Sequence, residues 1–316
     1  MNIIFNENTT FFEDIRLEDI INSQNTPFYL YSQKNLENTY NKLKTALNSE
    51  IFYAVKANSN QAILKIIKNC GSGADVVSAG ELERVLNAGF HSNKIIYEGV
   101  GKSYEDIKFA IDKNIRLINV ESINELKLIN EIGTSLKKTI NIGIRINPDI
   151  DGKTMDKIST GKKTDKFGIT IETIKDFLPQ LKSYKKINVK GISCHVGSQL
   201  QDIKVFEKIF TVMKKICDEL ISSGLKIEHV DLGGGFGVNY KLNENTLDIQ
   251  GIGNLAKLIF DKSIYKISFE PGRYLVAKSG VIVTKILTSK KSGNINYLIT
   301  DAGMQTLIRP AMYEAV

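Results

Sequence analysis

Eight short β-rich runs, at 51–55, 74–77, 94–97, 117–120, 141–146, 189–195, 227–232 and 266–269, alternate with longer amphipathic stretches, and this rhythm limits the folds open to the chain. Between the runs, apolar residues recur at three and four over 61–69, 80–88, 123–132 and 205–223, the spacing of helices with one buried face. Strand and helix in strict alternation imply a parallel sheet. Eight such units over roughly 250 residues match a closed (β/α)8 TIM-type barrel of the α/β class better than an open doubly wound sheet. Past Gly280 the pattern changes to a strand at 281–287, a polar turn at 289–294 and a strand at 295–299, the start of an antiparallel β domain. The expected layout is an N-terminal segment, 1–30, contributing to that β domain, a barrel over 31–275, and an incomplete β domain over 276–316.

Composition narrows the class. With 42% hydrophobic and 24% charged residues, the 316-residue chain reads as an ordinary globular protein. The net charge of +7 comes from scattered lysines rather than a basic block with interleaved aromatics, which argues against a nucleic-acid partner and for a modest pull on anionic ligands. Cys70, Cys194 and Cys217 show no paired metal spacing and no even count, so neither a metal site nor a disulfide framework is expected, and a reducing cytoplasm fits. No secretory leader and no membrane-spanning segment is read from the sequence.

Chemistry concentrates where runs end. Lys56 closes the apolar run Ile51-Phe52-Tyr53-Ala54-Val55 and precedes the polar Ala57-Asn58-Ser59-Asn60. Burial there is expected to lower its pKa and favour a neutral amine able to form a Schiff base with an aldehyde; the same placement also suits a lysine snorkelling at a strand end. The seventh run leads into Gly233-Gly234-Gly235-Phe236-Gly237 and the eighth into Glu270-Pro271-Gly272-Arg273. Barrel enzymes often hold a phosphate on these two loops, and glycines let backbone N–H groups close on phosphate oxygens while an arginine forks onto an oxyanion. Gly101-Lys102-Ser103 has Ile96 where a nucleotide-binding P-loop needs glycine, so a nucleotide reading fails on spacing. His195, one of three histidines, ends the sixth run and faces the same mouth; His91 and His229 are read as structural. Asp75 and Arg145 are read either as groups that tune the site or as an ion pair at the barrel mouth.

The set Phe52-Tyr53-Ala54-Val55-Lys56-Ala57-Asn58, His195-Val196-Gly197-Ser198-Gln199, Gly233-Gly234-Gly235-Phe236-Gly237, Glu270-Pro271-Gly272-Arg273, Asp301-Ala302-Gly303-Met304 and Ile308-Arg309-Pro310-Ala311-Met312-Tyr313 resembles the diaminopimelate decarboxylases over nearly the whole chain. These are alanine-racemase-like, fold-type III enzymes of pyridoxal 5'-phosphate, barrels joined to a β domain whose homodimers share active sites. The resemblance implies that Lys56 binds the cofactor covalently, that His195 stacks on its ring and that Glu270 meets the ring nitrogen. Ser198, Gly234, Gly235, Pro271, Gly272 and Arg273 then hold the phosphate end. A carboxylate at the ring nitrogen keeps it protonated, which suits decarboxylation over racemisation. The implied reaction converts meso-2,6-diaminopimelate to L-lysine and CO2, with Arg273, Arg309 and Tyr313 on the substrate. A distal carboxylate needs its own fixed cation, whereas ornithine-type relatives bind a distal ammonium that arginine would repel.

The family pattern continues beyond Tyr313 into a Cys-Glu-Ser motif that normally enters the partner's site, and this sequence stops at Val316. The expectation is a truncated chain in which cofactor binding outlasts turnover. The alternatives are a decarboxylase of another basic amino acid or carboxylated polyamine, and a noncatalytic cofactor-binding protein.

Overall fold

The computed structural model describes residues 3–6, 9–150, 161, 165–240, 246–261 and 263–313. Eight parallel strands close on themselves in the order Glu50–Ala54, Gly73–Val76, Ile95–Tyr97, Leu117–Val120, Ile140–Asn147, Ile187–Ser193, His229–Asp231 and Lys266–Phe269, the last pairing back onto the first. They are numbered one to eight below. A two-residue strand, Ile169–Thr170, extends the fifth. This is the closed (β/α)8 barrel that the alternation predicts.

Helices coat the barrel because each carries an apolar stripe and a polar cap at its start. Asn60, Ser78, Ser103 and Ser122 each accept a backbone N–H one turn into the helix that follows them, satisfying donors that a helix start leaves free. Ser103 forms a reciprocal capping box with Asp106, which gives the Gly101-Lys102-Ser103 run a structural job. Lys102 is buried there and donates to the carbonyls of Gly99 (2.6 Å) and Asn119 (2.8 Å) and to Glu125 (2.6 Å). The long helix Ile203–Ser222 buries Phe206, Phe210, Met213 and Leu220, and Phe210 meets Phe269 of the eighth strand at 5.9 Å. Phe52, Ile96 and Leu117 pack together as part of the core.

Two strands end sooner than their composition suggests, and the difference shapes the site. The sixth stops at Ser193 and the seventh at Asp231, leaving His195 and Leu232 in loops. Gly197 (φ 152°), Gln199 (φ 67°), Gly233 (φ 71°) and Gly235 (φ 82°) adopt backbone angles that a strand does not use, so the chain turns there.

The chain divides into two compact units, one of residues 37–238 and 245–275 and one of residues 1–36, 239–244 and 276–316. Within the second, Ile3–Asn6, Thr9–Phe12 and Ile15–Arg16 form a small antiparallel sheet, and Phe28–Tyr31 pairs antiparallel with Gly280–Val283. The strand expected at 281–287 is two strands. Thr284 Oγ1 and the Lys285 N–H both donate to Asp301 Oδ1 (2.5 and 2.9 Å), turning the chain before Ile286–Ser292 begins. The expected turn at 289–294 shrinks to Gly293-Asn294, because Ser289 to Ser292 pair with Leu298 to Ile295. Gly293 at φ 59° supplies the hand that a two-residue hairpin turn needs.

Packing of the coat on itself is tight at Gly253 of helix Ile249–Phe260, where an added Cβ would lie 1.9 Å from the backbone oxygen of Ala46. Gly253→Ala must push two helices apart, and thermal or urea melts should show a loss of about 1–3 kcal/mol, the usual cost of overpacking. An unchanged midpoint would show that these helices are not in close contact.

Candidate active site

The C-terminal ends of strands one, six, seven and eight are stitched together by backbone hydrogen bonds. The Ala54 N–H donates to the Pro271 carbonyl (3.1 Å), the Glu270 N–H to Gly233 (2.8 Å), and the Leu200 N–H to Gly235 (2.8 Å). Gln199 adds a side-chain pair, donating to the Val238 carbonyl (3.0 Å) and accepting the Val238 N–H (2.9 Å). Lys56, His195, Ser198, Gly234, Gly235, Glu270, Pro271, Gly272 and Arg273 therefore all stand on this stitched set of loops.

Glycine is required at several points of this rim by lack of room. A Cβ on Gly234 would lie 2.1 Å from the Glu270 carbonyl oxygen, and one on Gly235 2.4 Å from that of Gly197. Gly272 sits against Ala54 and Ala57, where a Cβ would meet both side chains at 3.0–3.2 Å. Lys56 lies in the single turn Val55–Ala57 that follows the first strand, and Arg273 opens the short helix Arg273–Val276.

Beneath the rim the barrel buries Asp75, Glu98, Glu121, Asp231 and Glu270 together with Arg145. Arg145 donates to Glu121 (2.7 Å) and reaches Glu98 (3.5 Å); Glu98 also accepts from Asn119 and from Ser193 (3.0 Å). Lys56 is 48% exposed along its side chain, yet its Nζ donates to Asp75 Oδ2 at 3.0 Å, and Asp75 is fully buried. Asp75 and Arg145 thus each stand in an ion pair with a different partner, Asp75 with Lys56 and Arg145 with Glu121 and Glu98.

Charge perturbations follow from this crowding. Burial pulls the Lys56 ammonium down, but the negative charges of Asp75 and then Glu270 outweigh it, and its pKa ends above the ordinary lysine value. The expectation that burial leaves Lys56 a neutral amine is corrected: its acidic neighbours hold it as a cation. Burial, then Asp231, Asp75 and Glu98, drive Glu270 well above the carboxylate range. Glu270 Oε1 and Asp75 Oδ1 are buried without a hydrogen-bond partner among the described residues. Burial and the nearby Lys56 and Arg145 push His195 well below the usual imidazole value, so it is neutral; its Nδ1 accepts the Gly234 N–H (3.3 Å), which assigns the proton to Nε2.

Arg309 and Tyr313 belong to the other unit, on helix Ile308–Tyr313, where the Arg309 guanidinium lies over the Tyr240 ring at 4.9 Å. The side chain of Tyr313 lies outside the described residues. Sequence reasoning passed over Glu98, Glu121 and Asp231. Their signal is an acid at or just beyond the end of an apolar strand, as in Ile95-Ile96-Tyr97-Glu98 and His229-Val230-Asp231-Leu232.

Residues 33–277 match the pyridoxal binding domain of the pyridoxal-dependent decarboxylases. The diaminopimelate decarboxylase of Zymomonas mobilis is 38% identical over 310 residues, 96% of this chain and 74% of its own length. The chain belongs to the diaminopimelate decarboxylase family. The crystal structure of the Helicobacter pylori family member complexed with L-lysine superposes with a TM-score of 0.90 at 38% identity, over 95% of this chain and 76% of that one. The M. jannaschii member, also in complex with L-lysine, gives 0.92 at 34% identity, over 99% and 76%.

Family membership makes the Lys56–Asp75 contact testable. Asp75→Asn removes the largest upward push on the Lys56 ammonium and leaves burial and Arg145 opposed by Glu270. The pH profile for attachment of pyridoxal 5'-phosphate to Lys56, trapped with borohydride and read by peptide mass, should move to lower pH. A profile in the same place as the wild type's would contradict the assignment.

Proposed function

We propose that this chain decarboxylates meso-2,6-diaminopimelate to L-lysine and CO2 at the loops around Lys56 and Glu270, with pyridoxal 5'-phosphate as cofactor. The observation that carries the reading is the shared electrostatic environment of these two residues, with the buried Glu270 Oε1 left without a partner among the described residues. The residues fit the cofactor on three counts: an amine at one end, an acid with an oxygen unpartnered among the described residues at the other, and a glycine rim too close-packed for side chains.

Lys56 would hold the aldehyde carbon and Glu270 the ring nitrogen, while the neutral His195 would lie against the ring face. Ser198, Gly234, Gly235, Pro271, Gly272 and Arg273 would hold the phosphate, the loops being already pinned by the Leu200–Gly235 and Glu270–Gly233 hydrogen bonds. When bound, pyridoxal phosphate supplies an electron sink for the pair left behind as the carboxylate departs. The chain's own part is proton handling. Lys56 must lose a proton to become a nucleophile, and Asp75 Oδ2, hydrogen-bonded to Nζ and itself raised in pKa by burial, is placed to take it. Glu270, whose affinity for a proton is raised by burial and by its acidic neighbours, would leave that proton on a basic ring nitrogen and face it as a carboxylate. Arg145 anchors the buried acids Glu121 and Glu98.

Substrate choice rests on Arg273, Arg309 and Tyr313 recognising the distal carboxylate, a role carried over from the family motif. L-Lysine bound in the Helicobacter pylori and M. jannaschii relatives supports the product side of this reading. Lys56→Ala should abolish CO2 release and covalent cofactor attachment together; retained attachment would rule out Lys56. Arg309→Ala should raise KM for diaminopimelate by about tenfold or more, the worth of a lost charged hydrogen bond, while cofactor affinity holds. Equal loss of both would misplace Arg309.

We further propose a cytoplasmic homodimer with shared active sites, supported by the motif resemblance. No helix among the described residues is long and apolar enough to cross a membrane. Sedimentation at twice the chain mass is expected, and a monomer at assay concentration would contradict the shared site.

A further inference from the structure

His229 is buried at the start of the seventh strand, and its contacts fix where its proton sits. Arg116 donates to both oxygens of Glu50 (3.0 and 2.8 Å), and its Nη2 lies 3.2 Å from His229 Nδ1. A guanidinium has no acceptor, so Nδ1 must accept and Nε2 must carry the hydrogen. The ring is neutral, since burial and Arg116 push its pKa down to about 4. His229 Nε2 then donates to Ser268 Oγ (3.0 Å), which leaves the Ser268 hydroxyl hydrogen for Asp231 Oδ2. The other oxygen of Asp231 accepts the Gly233 N–H at 2.7 Å.

Every bond in this buried chain has one direction. Reversing it would place a hydrogen on His229 Nδ1 against the N–H of Arg116, two donors face to face. Asp231 is therefore held as an acceptor through both oxygens, although burial pushes its carboxyl up to about 7. At the upper end the bond to Gly233 pins a turn in which a Cβ would lie 2.3 Å from the Cys194 carbonyl oxygen. A single peptide of that turn, the one joining Gly233 to Gly234, reaches the site at both of its ends: the Gly233 carbonyl accepts the Glu270 N–H (2.8 Å), and the Gly234 N–H donates to His195 Nδ1 (3.3 Å).

We propose that Glu50, Arg116, His229, Ser268 and Asp231 form a positioning relay from the floor of the barrel to the Gly233–Gly234 turn, where it sets the orientation of His195 and of Glu270. This rests on the reading of that turn, His195 and Glu270 as the cofactor site. None of the five is a catalytic residue. They act through the turn, and the direction of the relay is imposed by a guanidinium at the opposite end of the barrel from the chemistry.

The test uses the full chain labelled with 15N-histidine, whose three rings give separable signals. In the wild-type protein free of cofactor, His229 and His195 should both show the Nε2–H form. Ser268→Ala, which cuts the relay, should shift the His195 ring signals and weaken pyridoxal 5'-phosphate binding, measured by equilibrium titration, by about tenfold, as expected for losing a hydrogen bond to a charged group. Asp231→Asn, equal in shape, should produce the same His195 shift. His229 protonated on Nδ1 in the wild type would overturn the proposal, as would a folded Ser268→Ala or Asp231→Asn protein with unchanged His195 signals and unchanged affinity. If Ser268→Ala does not fold, Asp231→Asn and the wild-type tautomer decide. Wild-type protein in which the His229 and His195 rings both show the Nε2–H form yet which binds no pyridoxal phosphate would sink the cofactor reading and leave the relay standing, because the ring signals are read without cofactor.

Discussion

Burial of more negative than positive charge beneath the barrel mouth is the constraint from which the rest of the site follows. Five carboxyl groups, Asp75, Glu98, Glu121, Asp231 and Glu270, are buried there with Arg145, and the tip of Lys56 reaches in from the rim. Uncompensated buried charge is expensive, so the acids either find donors or take up protons. Glu121 and Glu98 share Arg145, Asp231 has Ser268 and a backbone N–H, and Asp75 has Lys56. Among the described residues Asp75 Oδ1 and Glu270 Oε1 are left without partners, and of the two acids only Glu270 has no hydrogen-bonded cation to set against its strongly raised pKa. A basic ring nitrogen at that oxygen would supply the missing partner, which is why the acid cluster and the cofactor reading support one another.

The same field explains the cationic Lys56 and the neutral His195, which look opposed at first. Lys56 feels chiefly the carboxylates, while His195 feels burial and the two neighbouring cations. A neutral imidazole can lie against an aromatic ring without bringing a second charge, and a lysine paired with a buried acid has its proton acceptor already in place. The glycine turn that links the two ends of the site is set from below by hydrogen bonds whose direction Arg116 dictates.

Much of this was legible in the sequence because it is local. Strands 117–120 and 266–269 match the structure end to end, and Lys56, His195 and Glu270 stand just past strand ends, where barrel enzymes do their chemistry. What was not legible depends on partners distant in sequence. The split of the expected strand at 281–287 comes from Asp301, whose carboxylate captures Thr284 and Lys285. The pKa of Lys56 is governed by Asp75 and Glu270, which local burial arguments do not see. His229 reads as an ordinary core histidine until Arg116 and Ser268, drawn from two other strand-helix units, are brought against it and Asp231 of its own strand.

The central claim is that Glu270, through the oxygen left unpartnered among the described residues, keeps the ring nitrogen of bound pyridoxal 5'-phosphate protonated. It is tested most directly by 15N NMR of the protein loaded with pyridoxal 5'-phosphate labelled at the ring nitrogen. The account predicts a protonated ring nitrogen in the wild type and its loss in Glu270→Gln. An unprotonated ring nitrogen in the wild type, or one that stays protonated when Glu270 is replaced, would contradict it.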